Sequence, residues 1–147
     1  MHDRPRRIPG GRLIEASWLG TAAFTVTAAI ATIDPDRLGA PAVVVDAVLF
    51  VGGLLAMIWA FLVAVQRSRV DAIGMGGLYF GAGPPGTVRR HLLGSLAVEV
   101  VVALVTASIR IFTSLAFGIL VPVWALGMAG AWCAVHGQFA PREGPAR

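Results

Sequence analysis

Lysine is missing from this chain altogether, so all 12 of its cationic side chains are arginine, and Cys133 is its single cysteine. A lone cysteine excludes an intramolecular disulfide and leaves the redox compartment open. Charge is scarce as well: charged residues make up 14% of the 147 residues, against about 25% in an ordinary soluble domain. Without lysine, the glycine-rich stretch around residues 74–86 has no Lys followed by Ser or Thr, which excludes a phosphate-binding P-loop. There is no nucleophile elbow, no HExxH and no catalytic pair of carboxylates on one segment, so a non-catalytic protein is expected. The net charge of +4 does not point to nucleic acid, because the arginines form short clusters with no aromatic residues interleaved for base stacking. No internal repeat stands out.

What the chain has in excess is apolar residues, 56% against roughly 45–50% in a typical domain. A single small domain of this length has no interior large enough to hide them, so the excess faces lipid. Four apolar runs follow, at residues 13–33, 41–65, 92–109 and 113–135. The first rises about 31 Å as a helix, enough for a hydrocarbon core of about 30 Å. Asp34-Pro35-Asp36 stops it, and Gln66-Arg67-Ser68-Arg69 stops the second. The fourth contains Pro122, which is expected to bend a transmembrane helix rather than end it. The third and fourth are separated by so few residues that they form a tight antiparallel hairpin. The expected fold is an all-α integral membrane protein, a bundle of four transmembrane helices. A cleaved signal peptide is the competing reading of the first run, with Ala29-Ile30-Ala31 as its A-x-A site, but the run exceeds the usual h-region of roughly 7–15 residues. With arginine as the only cation and abundant Ala, Val and Gly, the chain resembles the small multi-helix membrane proteins of high-GC actinobacteria. That resemblance is compositional, implies a bacterial inner membrane and assigns no activity.

Arginine placement gives the orientation. Arg4, Arg6, Arg7 and Arg12 precede the first run, Arg67, Arg69, Arg89 and Arg90 lie between the second and third, and Arg142 and Arg147 follow the fourth. Only Arg37 and Arg110 fall in the other two connections, a division of ten against two. The positive-inside rule then places the basic segment 1–12, the connection 67–90 and the tail 136–147 in the cytoplasm. The long connection holds six glycines and Pro84-Pro85, yet also Ile73, Met75, Leu78, Tyr79 and Phe80, which suits a loop lying in the headgroup layer; a ligand-binding or re-entrant loop is the alternative.

Polar residues within the runs are the informative ones, because lipid makes them costly. At 100° per residue, Ser95, Thr106 and Arg110 fall within about 40° of Glu99 on the third helix, and His91 lies about 80° away. Ser108 is on the opposite side. In the first helix Ser17, Thr21, Thr25 and Thr32 share an arc with Ala28. They either bond their own backbone one turn back or line a seam against the third helix. An ionised Glu99 at mid-membrane costs about 2.5–3.5 kcal/mol. Its alternatives are a neutral acid bonding a neighbouring helix, or a group that couples protons or cations to transport. The segment Leu96-Ala97-Val98-Glu99-Val100-Val101 is similar to the acidic helix of small multidrug-resistance transporters, a likeness of six residues that implies a coupling role for Glu99. In that family the acidic helix comes first and carries aromatic neighbours; here it is third and they are absent.

Asp46 shares a face of the second helix with Gly53, Ala60 and Ala64, small residues that admit another backbone. It is expected near the outer surface with Arg110, where the two form an ion pair. His91, Cys133 and His136 lie at one membrane edge, and three such donors could hold zinc or two histidines a haem. Histidines at helix ends are commonly just interfacial, so no metal or cofactor is expected. The expected partners are membrane lipids and either other membrane subunits or further copies of the chain. Two roles follow: an accessory or assembly subunit of a larger membrane complex, or a small oligomeric proton-coupled transporter or channel using Glu99.

Overall fold

The computed structural model describes residues 9–80, 84–109, 111 and 113–141. Its elements are α1 (Gly11–Ile33), α2 (Pro35–Arg67), the short α3 (Met75–Tyr79), α4 (Gly86–Ile109), a 3-10 segment (Ser114–Leu120) and α5 (Pro122–His136). Helix is the only open structure that satisfies every backbone group inside lipid. Four stretches are long and apolar enough to cross a membrane: α1, α2, α4 and the combined span Leu115–His136. The chain is an all-α four-helix bundle and a multi-pass membrane protein.

The helices run further than the apolar pattern. α2 begins at Pro35, six residues before the expected start, because Asp34 both ends α1 and caps α2. Its backbone N–H reaches back to the Ile30 carbonyl, while its carboxylate accepts from the Arg37 N–H at 3.3 Å. Pro35 occupies the first helical position, where its missing N–H costs nothing. α4 likewise starts at Gly86 instead of Leu92.

The fourth span corrects the expectation of one bent helix. Pro122 has no N–H to donate to the carbonyl of Gly118, and its ring crowds that carbonyl. The Gly118 carbonyl instead accepts from Val121 three residues on, at 3.1 Å, and the chain before the proline runs as 3-10 helix. A new α-helix, α5, then starts at Pro122.

Contacts place α1 and α5 each beside both α2 and α4 and also against one another, so α2 and α4 are the two spans that stand apart. α5 is the bundle's centre of gravity: 61% of the apolar window of that span is buried, against 22% for α2. The closest approach is between α2 and α5. A Cβ added at Gly53 would stand 2.5 Å from the Trp124 Cα and 2.6 Å from the Trp124 N, so only glycine lets the two backbones meet. Ala60 and Ala64 continue that contact and are buried.

At the arginine-rich end, Arg67 ties α2 to the end of α5. Its guanidinium donates to the Ala134 and Gly137 carbonyls at 2.7 and 3.1 Å and pairs with Asp71 at 2.9 Å. These carbonyls belong to the helix C-terminus, which favours a cation. The connection 67–90 does not simply rest on a surface. Leu78 is buried in the bundle, and Tyr79 donates its hydroxyl to the Met57 carbonyl at 3.0 Å. Burial pushes the Tyr79 phenol above its usual value, which keeps it a donor.

Candidate functional site

The two polar arcs meet inside one protomer. Ser17 and Ser95 join α1 to α4 with their hydroxyl oxygens 2.7 Å apart, and the Thr21 hydroxyl donates to Glu99 Oε1 at 2.8 Å one turn further on. Ser95 also donates to the Leu92 carbonyl at 2.9 Å, so the proton between the serines comes from Ser17. The other Glu99 oxygen, Oε2, accepts from the backbone N–H of Ala125 at 3.3 Å. Ala125 lies in the first turn of α5, the end of the helix where the macrodipole is positive. Trp124 secures the same end of α5 by donating from its indole nitrogen to the Ala16 carbonyl at 3.2 Å. Ser17, Ser95 and Glu99 are fully shielded from solvent, and Thr21 is nearly so.

Counting protons sharpens this picture. Thr21 Oγ1 lies 2.8 Å from Glu99 Oε1 and 2.9 Å from the Ser17 carbonyl oxygen, yet a hydroxyl has one proton. An ionised Glu99 leaves one of the two contacts without hydrogen. With a proton on Oε1, Glu99 donates to Thr21, Thr21 donates to the Ser17 carbonyl, and Oε2 still accepts from Ala125. The seam is then saturated, and a saturated buried network rigidifies what it joins.

The remaining expected residues separate from this cluster. Thr106 is buried on α4 and lines, with Thr25 and Thr32 of α1, a groove of about 300 Å³ between the two helices. Ser108 is exposed and returns its hydroxyl to the Leu104 carbonyl. Arg110 lies outside the described residues, and so does the expected pair it makes with Asp46. Asp46 itself is buried on α2. Among the described residues, no three His, Cys, Asp or Glu side chains come together to hold a metal. His91 is exposed on α4, Cys133 is buried in the core, and His136 packs against Trp132 with the rings tilted and their centroids 5.5 Å apart.

Residue patterns alone did not point to Trp124, Ala125 or Arg67. Proline followed by a capable helix former is a start signal, and Pro122 carried that signal for α5. Nothing local announces that Arg67 meets carbonyls 67 and 70 residues away. No protein-family model, curated protein or solved structure matches the chain.

Proposed function

We propose that this chain is a non-catalytic accessory or assembly subunit of a larger complex in a bacterial inner membrane, with both ends and the 67–90 connection in the cytoplasm. The observation that carries the reading is the condition of Glu99. The one carboxyl at mid-membrane has both oxygens engaged by α1 and α5 and no exposed surface, so its polarity holds helices together. A coupling group must meet water from each side in turn, and in this conformation Glu99 is closed off from both. Purification in mild detergent with mass measurement tests the proposal: a different protein in fixed ratio is expected, and a protein found only as a homo-oligomer overturns it. Reporter fusions after residue 40 should read as external and those at Gly81 and Arg147 as cytoplasmic, as the arginine division requires.

One observation favours a small proton-coupled transporter as a second reading. The fourth span is discontinuous, and the N-terminus of its α-helical half faces a carboxyl at mid-membrane, an arrangement that transporters use at their binding sites. Glu99→Gln separates the two. Its amide can donate to Thr21 and accept from Ala125, so a purely structural seam survives. Loss of a pH-dependent fluorescence change or of transport, with the fold intact, would favour the transporter.

A further inference from the structure

Asp46 is a carboxyl of a different kind. It is 4% exposed, and among the described residues no hydrogen bond or ion pair reaches it. It lines a cavity of about 240 Å³ together with Val43, Ala47 and Phe50 of α2 and with Phe117 and Leu120 of the 3-10 segment. Gly118 brings that segment close to the carboxyl, since a Cβ there would stand 3.6 Å from Asp46 Oδ2. Ala47 and Phe117 are exposed, so the cavity opens sideways on the outer face of the bundle, where lipid or another helix lies. Val44 and Val48 beside it are more than 60% exposed and continue an apolar strip along α2.

We propose that this notch receives the lysine or arginine side chain of a partner subunit's transmembrane helix. The inference rests on the assembly reading above and names its point of contact. Carboxyls within a bilayer pair with cations or face water, and this one does neither within the described chain. The volume is below the roughly 300–1,000 Å³ of pockets for drug-sized molecules, which fits one long side chain better than a free ligand. The walls suit that occupant too: Val43 and Leu120 can line the aliphatic stem, Phe50 and Phe117 offer rings to the cationic head, and Asp46, almost wholly covered, supplies the opposite charge at the floor of the notch. The described arginines are elsewhere. Arg12, Arg67, Arg69, Arg89 and Arg90 belong to the opposite end, and Arg37 is exposed at the start of α2, nine positions before Asp46.

The test uses the full chain in phosphatidylcholine vesicles with a polyleucine transmembrane peptide carrying one lysine at the depth of Asp46, association being read by energy transfer. The wild-type chain should bind the lysine peptide at least tenfold more tightly than an all-leucine peptide. Asp46→Asn and Asp46→Leu should erase that preference while leaving the helical content unchanged. Equal binding of the two peptides by the wild type overturns the proposal. So does a lysine preference that emerges only in Arg110→Gln, since the chain's own arginine then fills the notch. Either failure leaves the subunit reading standing on its own measurement, because co-purification of a partner does not depend on this notch.

Discussion

Glu99 and Asp46 are the same functional group in the same apolar bundle, and their surroundings are opposites. At Glu99 three helices converge, and each carboxyl oxygen has a named partner. At Asp46 the walls are Val, Ala, Phe and Leu, one side is open, and no described group answers the carboxyl. The difference teaches that burial alone does not assign a role to an intramembrane acid. A satisfied acid braces the fold, and an unsatisfied one leaves a demand that the described residues do not meet.

The change expected to erase this contrast most completely is Gly53→Leu. The new side chain would meet the Trp124 backbone rather than a movable side chain. Overpacking by side chains costs about 1–3 kcal/mol, and here no rotamer relieves it, so the cost exceeds that range. α5 should lose its seat and Glu99 its Ala125 partner, with size-exclusion in detergent showing aggregated protein. Glu99→Leu comes next. It removes the carboxyl's bonds to Thr21 and to the Ala125 N–H, and should lower stability by roughly 1–3 kcal/mol in detergent denaturation, with Glu99→Gln recovering most of the loss. Thr21→Val keeps the shape and deletes one interhelical bond, for an expected loss of about 0.6 kcal/mol in the same assay. Smallest of all is Asp46→Leu. It removes an unpaired acid from apolar surroundings, so the isolated chain should be unchanged or slightly more stable. A loss as large as that of Glu99→Leu would break the comparison, because Asp46 would then have a partner within the chain.

The sequence made the spans legible because lipid imposes a length and a composition, and it made the Ser95–Glu99–Thr106 stripe legible because a helix imposes a period. The same reasoning marked the face of Asp46, Gly53, Ala60 and Ala64, all four buried. The limits of α2 and α4 were missed for a physical reason: a helix continues past the hydrocarbon wherever its caps allow, and Asp34 with Pro35 is a cap that also resembles a stop. Pro122 was ambiguous in the same way, either a bend within one helix or the start of another. Leu78 and Tyr79 gave only a composition, apolar and aromatic, that fits the membrane surface as well as the bundle interior. Which of these holds depends on Gly130, which leaves room for the Tyr79 ring, and that contact is not local in sequence.

The spacing of the hydroxyls on α1 has a consequence of its own. Ser17, Thr21 and Thr25 stand four residues apart, so α1 offers Glu99 three successive rungs, each turned about 40° from the one before. Sliding α4 by one turn, about 5.4 Å, would set Glu99 against Thr25 and Ser95 against Thr21, again hydroxyl to acid and hydroxyl to hydroxyl. The ladder therefore does not choose its own register. The choice falls to α5, which presents the Ala125 N–H at one height, fixed in turn by the contact of its backbone with Gly53. In this bundle the vertical position of one helix against its neighbour is decided by a third helix, like a latch that holds a ratchet on a single tooth.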